Sequence, residues 1–171
     1  MEFDNQIDTF QEQNERPSFL KVLCILSFIS TGLGLVSGLI NLLSGPFNEE
    51  EMVEQKVQMM KSIDELRTMG ADQFADLFEK IQRMSESMNA HFYAVQLVSL
   101  IVVGIGVFGV YKMWNASKLG FHLYIIYSLL PVLTVYFFVA PTDVPALVVI
   151  FNLIVSGIFI FMYSRNLKWM K

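Results

Sequence analysis

The residues able to carry chemistry are few and scattered. The chain has two histidines, His91 and His122, and one cysteine, Cys24. A zinc site needs three or four Cys, His or carboxylate ligands converging on one point. The two imidazoles fall at opposite ends of neighbouring apolar runs, about a membrane thickness apart, so a shared metal site is not expected. Each is expected at an interface or bonded within its own helix. Cys24 lies inside the first hydrophobic run, cannot form an intramolecular disulfide, and reads as a small packing residue. Gly104, Gly106 and Gly109 spell GxGxxG. In a dinucleotide site that pattern follows a strand and opens a helix; here it lies within an apolar helix, so the cofactor reading fails. There is no nucleophile elbow, no H-E-x-x-H and no phosphate-binding loop. Neither a cofactor nor a catalytic site is expected, and the chain is not expected to be an enzyme.

The spans themselves are uncharged in depth. Proton relays, ion pathways and voltage sensors mark themselves with intramembrane Asp, Glu, Lys or Arg, and no such residue lies deep in any run. Asn115-Ala116-Ser117 matches a glycosylation sequon, but it sits in a short basic loop close to the membrane, where the match carries little weight.

These residues are positioned by hydrophobic runs. Of 171 residues, 54% are hydrophobic and 16% charged, with a mean hydropathy of +0.49. Apolar runs of about 20 residues read as membrane spans. The fold class is therefore an all-α integral membrane protein with four transmembrane helices and an extramembrane helical hairpin between the first and second. The segments are an N-tail (1–18), spans at 19–43, 91–111, 119–139 and 144–163, a hairpin at 47–90, a basic loop at 112–118 and a basic C-tail at 164–171. In the N-tail, Phe3, Ile7 and Phe10 fall at i, i+4, i+7, an interfacial helix pattern that a frayed tail matches equally well. The tail lacks the positive start of a secretory signal, so the first run is expected to stay in the membrane. Thr142 or Asp143 is placed to cap the fourth span.

Residues 47–90 are the one long polar stretch. Asn48 is a good N-cap, and Glu49, Glu50 and Glu51 suit the positive end of a helix. Met52, Met59 and Leu66 repeat every seven residues, with Ile63 on the same face. Gly70 is placed for a left-handed helix end. Asp72 opens a second helix whose apolar set is Phe74, Leu77, Phe78, Ile81, Met84 and Met88, an a/d seam over two heptads. No Gly or Pro follows, so this helix is expected to run unbroken into the second span. Five basic residues face ten acids in the insert. Helices lying on lipid favour a basic polar face, so a hairpin standing off the bilayer is preferred, with its seam taken up between its own arms.

Ser30, Gly34 and Gly38 line one face of the first span, and Gly104, Gly106 and Gly109 cluster in the second. Small residues let membrane helices approach closely, so both sets are assigned to helix packing within the chain or between copies. Pro131 falls inside the third span and predicts a kink. Seven Lys and Arg lie beside the spans on the side of both tails and the 112–118 loop. The positive-inside rule then places both termini in the cytoplasm and the insert outside, most simply in a bacterial inner membrane.

The four-span plan with a long first outer segment resembles that of the claudins. That family's first loop carries a Trp motif and a Cys pair, whereas this insert has neither Trp nor Cys, so the resemblance is one of topology and assigns no family. Partners are membrane lipid and either another protein or further copies of the chain; without a basic patch, nucleic acid is excluded. The expected function is that of a non-enzymatic accessory, scaffold or assembly subunit. The alternative is a small oligomeric transporter or channel, with Pro131, Asn41, Gln96 and Asn152 along its path.

Overall fold

The structure, a computed structural model, describes residues 17–171; the N-tail pattern at 1–16 lies outside them. Six α-helices follow in order: α1 (Ser18–Ser44), α2 (Glu49–Thr68), α3 (Asp72–Ala90), α4 (Phe92–Trp114), α5 (Lys118–Phe138) and α6 (Ala146–Ser164), then a 3-10 turn at Leu167–Trp169. No strand occurs among the described residues. Helices α1, α4, α5 and α6 are long and apolar enough to cross a membrane, and α2 and α3 form a helical hairpin beyond their ends. Inside a bilayer only a helix satisfies its own backbone, so this division follows from hydropathy alone.

The hairpin ends are set by local chemistry. The Asn48 side chain accepts from the Glu51 amide at 2.8 Å, and the Glu51 carboxylate accepts from the Asn48 amide at 2.9 Å, a capping box. At the other end of α2, Gly70 has φ of +74°, the Ala71 amide donates to the Leu66 carbonyl, and the Gly70 amide donates to that of Arg67. Only a residue tolerant of the left-handed region closes a helix this way. Ala71, not Asp72, precedes α3 and makes no side-chain cap. Asp72 sits in the first turn, where its charge faces the positive helix end.

Three further junctions differ from the sequence expectation. The helix does not run unbroken from α3 into α4: it is interrupted at His91, whose φ and ψ are −113° and 28° and whose ring nitrogen sits 3.1 Å from the Ser87 carbonyl. The loop after α4 is shorter than 112–118. Trp114 ends α4, so Lys112 lies within it; Lys118 starts α5, and Ala116 closes the turn with φ of +56°. Neither Thr142 nor Asp143 caps α6; Pro145 precedes it, and the Asp143 carboxylate is engaged elsewhere.

In the bundle α4 is central. It packs most extensively on α5 and next on α1, while α6 rests more lightly on α5. The core lies at the end that carries the chain's tails, which is called the terminal end below. Leu20, Leu23, Cys24, Val110, Met113, Phe121, Tyr124, Tyr163 and Met170 are buried together there. The C-tail is fastened rather than free. The Lys118 amide donates to the Lys171 carbonyl, the Lys171 amide donates to the Ala116 carbonyl, and Met170 enters the core. Thus the last residues close the terminal end over the α4–α5 loop.

Candidate functional site

At the opposite end, α3 is laid across the bundle. Its first turns, at Phe74, Leu77 and Lys80, share a groove with Pro145, Ala146 and Leu147 at the start of α6. Midway, the Arg83 guanidinium donates to Asp143 Oδ1 at 2.8 Å. Its last turn brings Met88 beside Val95 and Phe138, and the His91 and Phe138 rings follow at 6.1 Å. The helix is about 28 Å long by its residue count, enough to cross from α4 to α6. One arm of the hairpin therefore roofs the insert end of the bundle.

Helix α2 then packs antiparallel on α3. The seam holds Ile63, Ala75 and Gln82, all buried. Charges flank it: Lys56 pairs with Glu86 at 3.0 Å, and Arg67 pairs with Glu79. The Lys56 hydrogen bond, aided by one from Gln82, holds the Glu86 carboxyl below the usual carboxylate range. At the membrane end the Asn89 amide donates to the Phe47 carbonyl and to the Met52 sulfur, and its oxygen accepts from the Phe47 amide. Between the two helices runs a cleft of about 480 Å³ lined by Lys56, Asp64, Arg67, Glu79, Arg83 and Glu86 among others.

The apolar residues of the insert divide three ways. On α2, Met52, Met59 and Leu66 are half-buried and Ile63 is buried. On α3, Leu77, Phe78, Ile81, Met84 and Met88 are half-buried and Phe74 is exposed. The Phe74-to-Met88 face therefore is not taken up between the arms, because α3 offers Ala75 and Gln82 to α2 instead. The small Ala75 allows close approach, and the flanking carboxylates Glu79 and Glu86 meet the cations of α2; a face of Phe and Met would offer neither. The third group is a stripe on α2 left exposed among the described residues: Val53, Val57 and Met60 are 60%, 47% and 53% exposed. They lie at i, i+4, i+7 and so share one face.

In the spans, the glycines differ sharply. Gly38 is buried at the α1–α4 contact, where a Cβ would stand 2.7 Å from Leu100 Cδ2, and its carbonyl accepts from the Gln96 amide at 2.8 Å. A Cβ on Gly34 would touch Val103 at an ordinary 3.7 Å. Ser30 points away from α4 and lines a cleft between α1, α5 and α6; the buried small residues of α1 are Cys24, Ser27, Thr31 and Gly38. Gly106 abuts the Tyr127 ring and Gly109 the Gly120 carbonyl, whereas Gly104 faces open space. The tightest glycine is Gly120, where a Cβ would overlap the Met113 backbone nitrogen and lie 2.5 Å from the Gly109 carbonyl oxygen. A sequence signal for it existed: Met113 and Gly120 lie three and four residues from Ala116 on either side of the turn, so an antiparallel pair brings them face to face.

Pro131 lies within α5, which continues through it. Pro131 and Asn152 share the α1–α5–α6 cleft, but Gln96 is turned to Gly38 and Asn41 lies exposed near the end of α1. His91 and His122 bond backbone carbonyls of their own helical segments, Ser87 and Lys118, at opposite ends of the bundle. Among the described residues, no three His, Cys, Asp or Glu side chains group as metal ligands would. Compared with known proteins, the chain matches no family model, no curated protein and no solved structure.

Proposed function

We propose that this protein is a non-enzymatic membrane subunit that docks a partner protein on the α2–α3 pair, acting as an accessory, scaffold or assembly factor. The observation that carries this reading is the Val53, Val57 and Met60 stripe. Three apolar side chains lie at anchor spacing on a helix beyond the membrane ends, the pattern by which a helix seats in a partner's groove. A flexible Met within it suits adaptable packing. Acidic α2 disfavours anionic lipid as the occupant of this face. Helix α3, held across the bundle by the Arg83–Asp143 pair, gives α2 a firm base. In this reading both termini are cytoplasmic, the insert is outside, and the membrane is a bacterial inner membrane, in line with the Lys and Arg beside the terminal ends of the spans.

The test is photo-crosslinking from position 60 in cells, with and without Val53→Asp and Val57→Asp. A discrete protein adduct that the two substitutions abolish, with membrane insertion intact, supports docking here. Crosslinks to lipid alone, or an adduct that the substitutions leave unchanged, overturn it.

A further inference from the structure

The α1–α5–α6 cleft holds a polar group without an evident purpose. Helices α1 and α6 meet toward the terminal end, where Tyr163 Oη donates to Ser27 Oγ at 2.9 Å. Beyond that contact a cleft of about 270 Å³ opens, lined by Ser30, Tyr127, Ser128, Pro131, Asn152 and Ser156 among others. Ser156 is engaged, donating to the Ser128 carbonyl at 3.3 Å. Asn152 is exposed at the cleft's edge, about 9 Å along a helix about 28 Å long by the helical rise, and so about a third of the way across, within the apolar part of the span. Its amide makes no hydrogen bond among the described residues. Lipid tails offer it none, so an uncovered amide at this depth is unfavourable.

We propose that a second copy of this chain covers it, with the two α6 helices side by side and their Asn152 amides bonded to each other. Two copies inserted in the same sense are related by an axis along the membrane normal, so residue 152 lies at the same depth in both. A carboxamide both donates and accepts and is therefore its own complement, as an isologous interface requires. Helix α6 is also the least covered span: only 6% of its most apolar window is buried, against 28% for α1 and α4. No charge interrupts the helix. This pairing does not depend on the insert or on what docks there.

The test is energy transfer between donor- and acceptor-labelled copies of the full chain in phosphatidylcholine vesicles, over a range of protein-to-lipid ratios. The native chain is expected to dimerise. Asn152→Leu, a change on an exposed face that keeps the helix, is expected to weaken association roughly three- to thirty-fold, the range for interhelical polar contacts in membranes. Asn152→Gln, which retains donor and acceptor, is expected to keep most of it. Disulfide trapping through Val149→Cys in a Cys24→Ser background is expected to link copies, whereas Leu33→Cys on α1 is not. A native chain that stays monomeric at every ratio overturns the proposal, as does a dimer indifferent to Asn152→Leu or one trapped through α1.

Discussion

Arg83 and Asp143 are joined at 2.8 Å although one lies in the insert and the other in the loop between α5 and α6. Glu79 lies 3.7 Å from the same guanidinium. The pair fixes how α3 crosses the bundle, because it is the charged tie between the middle of that helix and the spans. Both side chains are partly open to solvent, so its thermodynamic weight is at most about 1 kcal/mol. Its effect is on pose. Asp143→Lys is expected to raise hydrogen exchange along 77–88 while leaving α4 and α5 protected, and Arg83→Glu combined with Asp143→Lys is expected to restore much of the protection. Exchange in α3 that ignores the single change would show that its pose rests on apolar packing alone.

Acidification should loosen the hairpin at the Lys56–Glu86 pair. The Glu86 carboxyl is held below the usual carboxylate range in the folded chain, first by the Lys56 hydrogen bond. A depressed folded value contributes stability above the unfolded value, and that contribution is lost as pH falls through the folded one. Protection of the α2–α3 seam should therefore fall as pH drops from neutral through and below the usual carboxylate range. Lys56→Met should flatten this dependence. The effect is small, since the pair is solvent-accessible, and exchange at single residues is the measurement that resolves it.

Glycine positions should separate by what a methyl group would meet. Gly120→Ala must push the α4 and α5 backbones apart, because the obstacles are the Met113 nitrogen and the Gly109 carbonyl rather than flexible side-chain ends. Its loss should reach or exceed the upper end of overpacking penalties, about 3 kcal/mol. Gly104→Ala, facing open space, should be neutral or slightly stabilising. Gly38→Ala should fall between them, since Leu100 can move. Unfolding in bicelles, titrated with denaturing detergent, checks the order; equal losses at 104 and 120 would refute it.

Gln96→Leu keeps the volume and removes the bond to the Gly38 carbonyl. Interhelical bonds of this kind in membranes average about 0.6 kcal/mol and reach about 1.7, so a loss in that range is expected in the same unfolding measurement. A larger loss would mean that the α1–α4 contact itself had shifted.

The local features of this protein were written in its sequence. Spans are set by runs of apolar residues matched to a bilayer, and a single such run can satisfy its own backbone in lipid only as a helix. The Asn48–Glu51 capping box and the Gly70 helix end involve residues a few positions apart, so their chemistry is decided before any tertiary contact forms. Periodicity also identified Phe74 to Met88 as one apolar face, but not what that face would meet. The tertiary structure decided that α3 presents Ala75 and Gln82 to α2, that Arg83 reaches Asp143, and that Val53, Val57 and Met60 are left uncovered. It also separated glycines that look alike in sequence, setting Gly120 against the α4 backbone and leaving Gly104 with nothing near. A side chain's hydropathy is its own property. Its partner depends on where helices distant in sequence come to lie, and that is fixed only when the bundle closes.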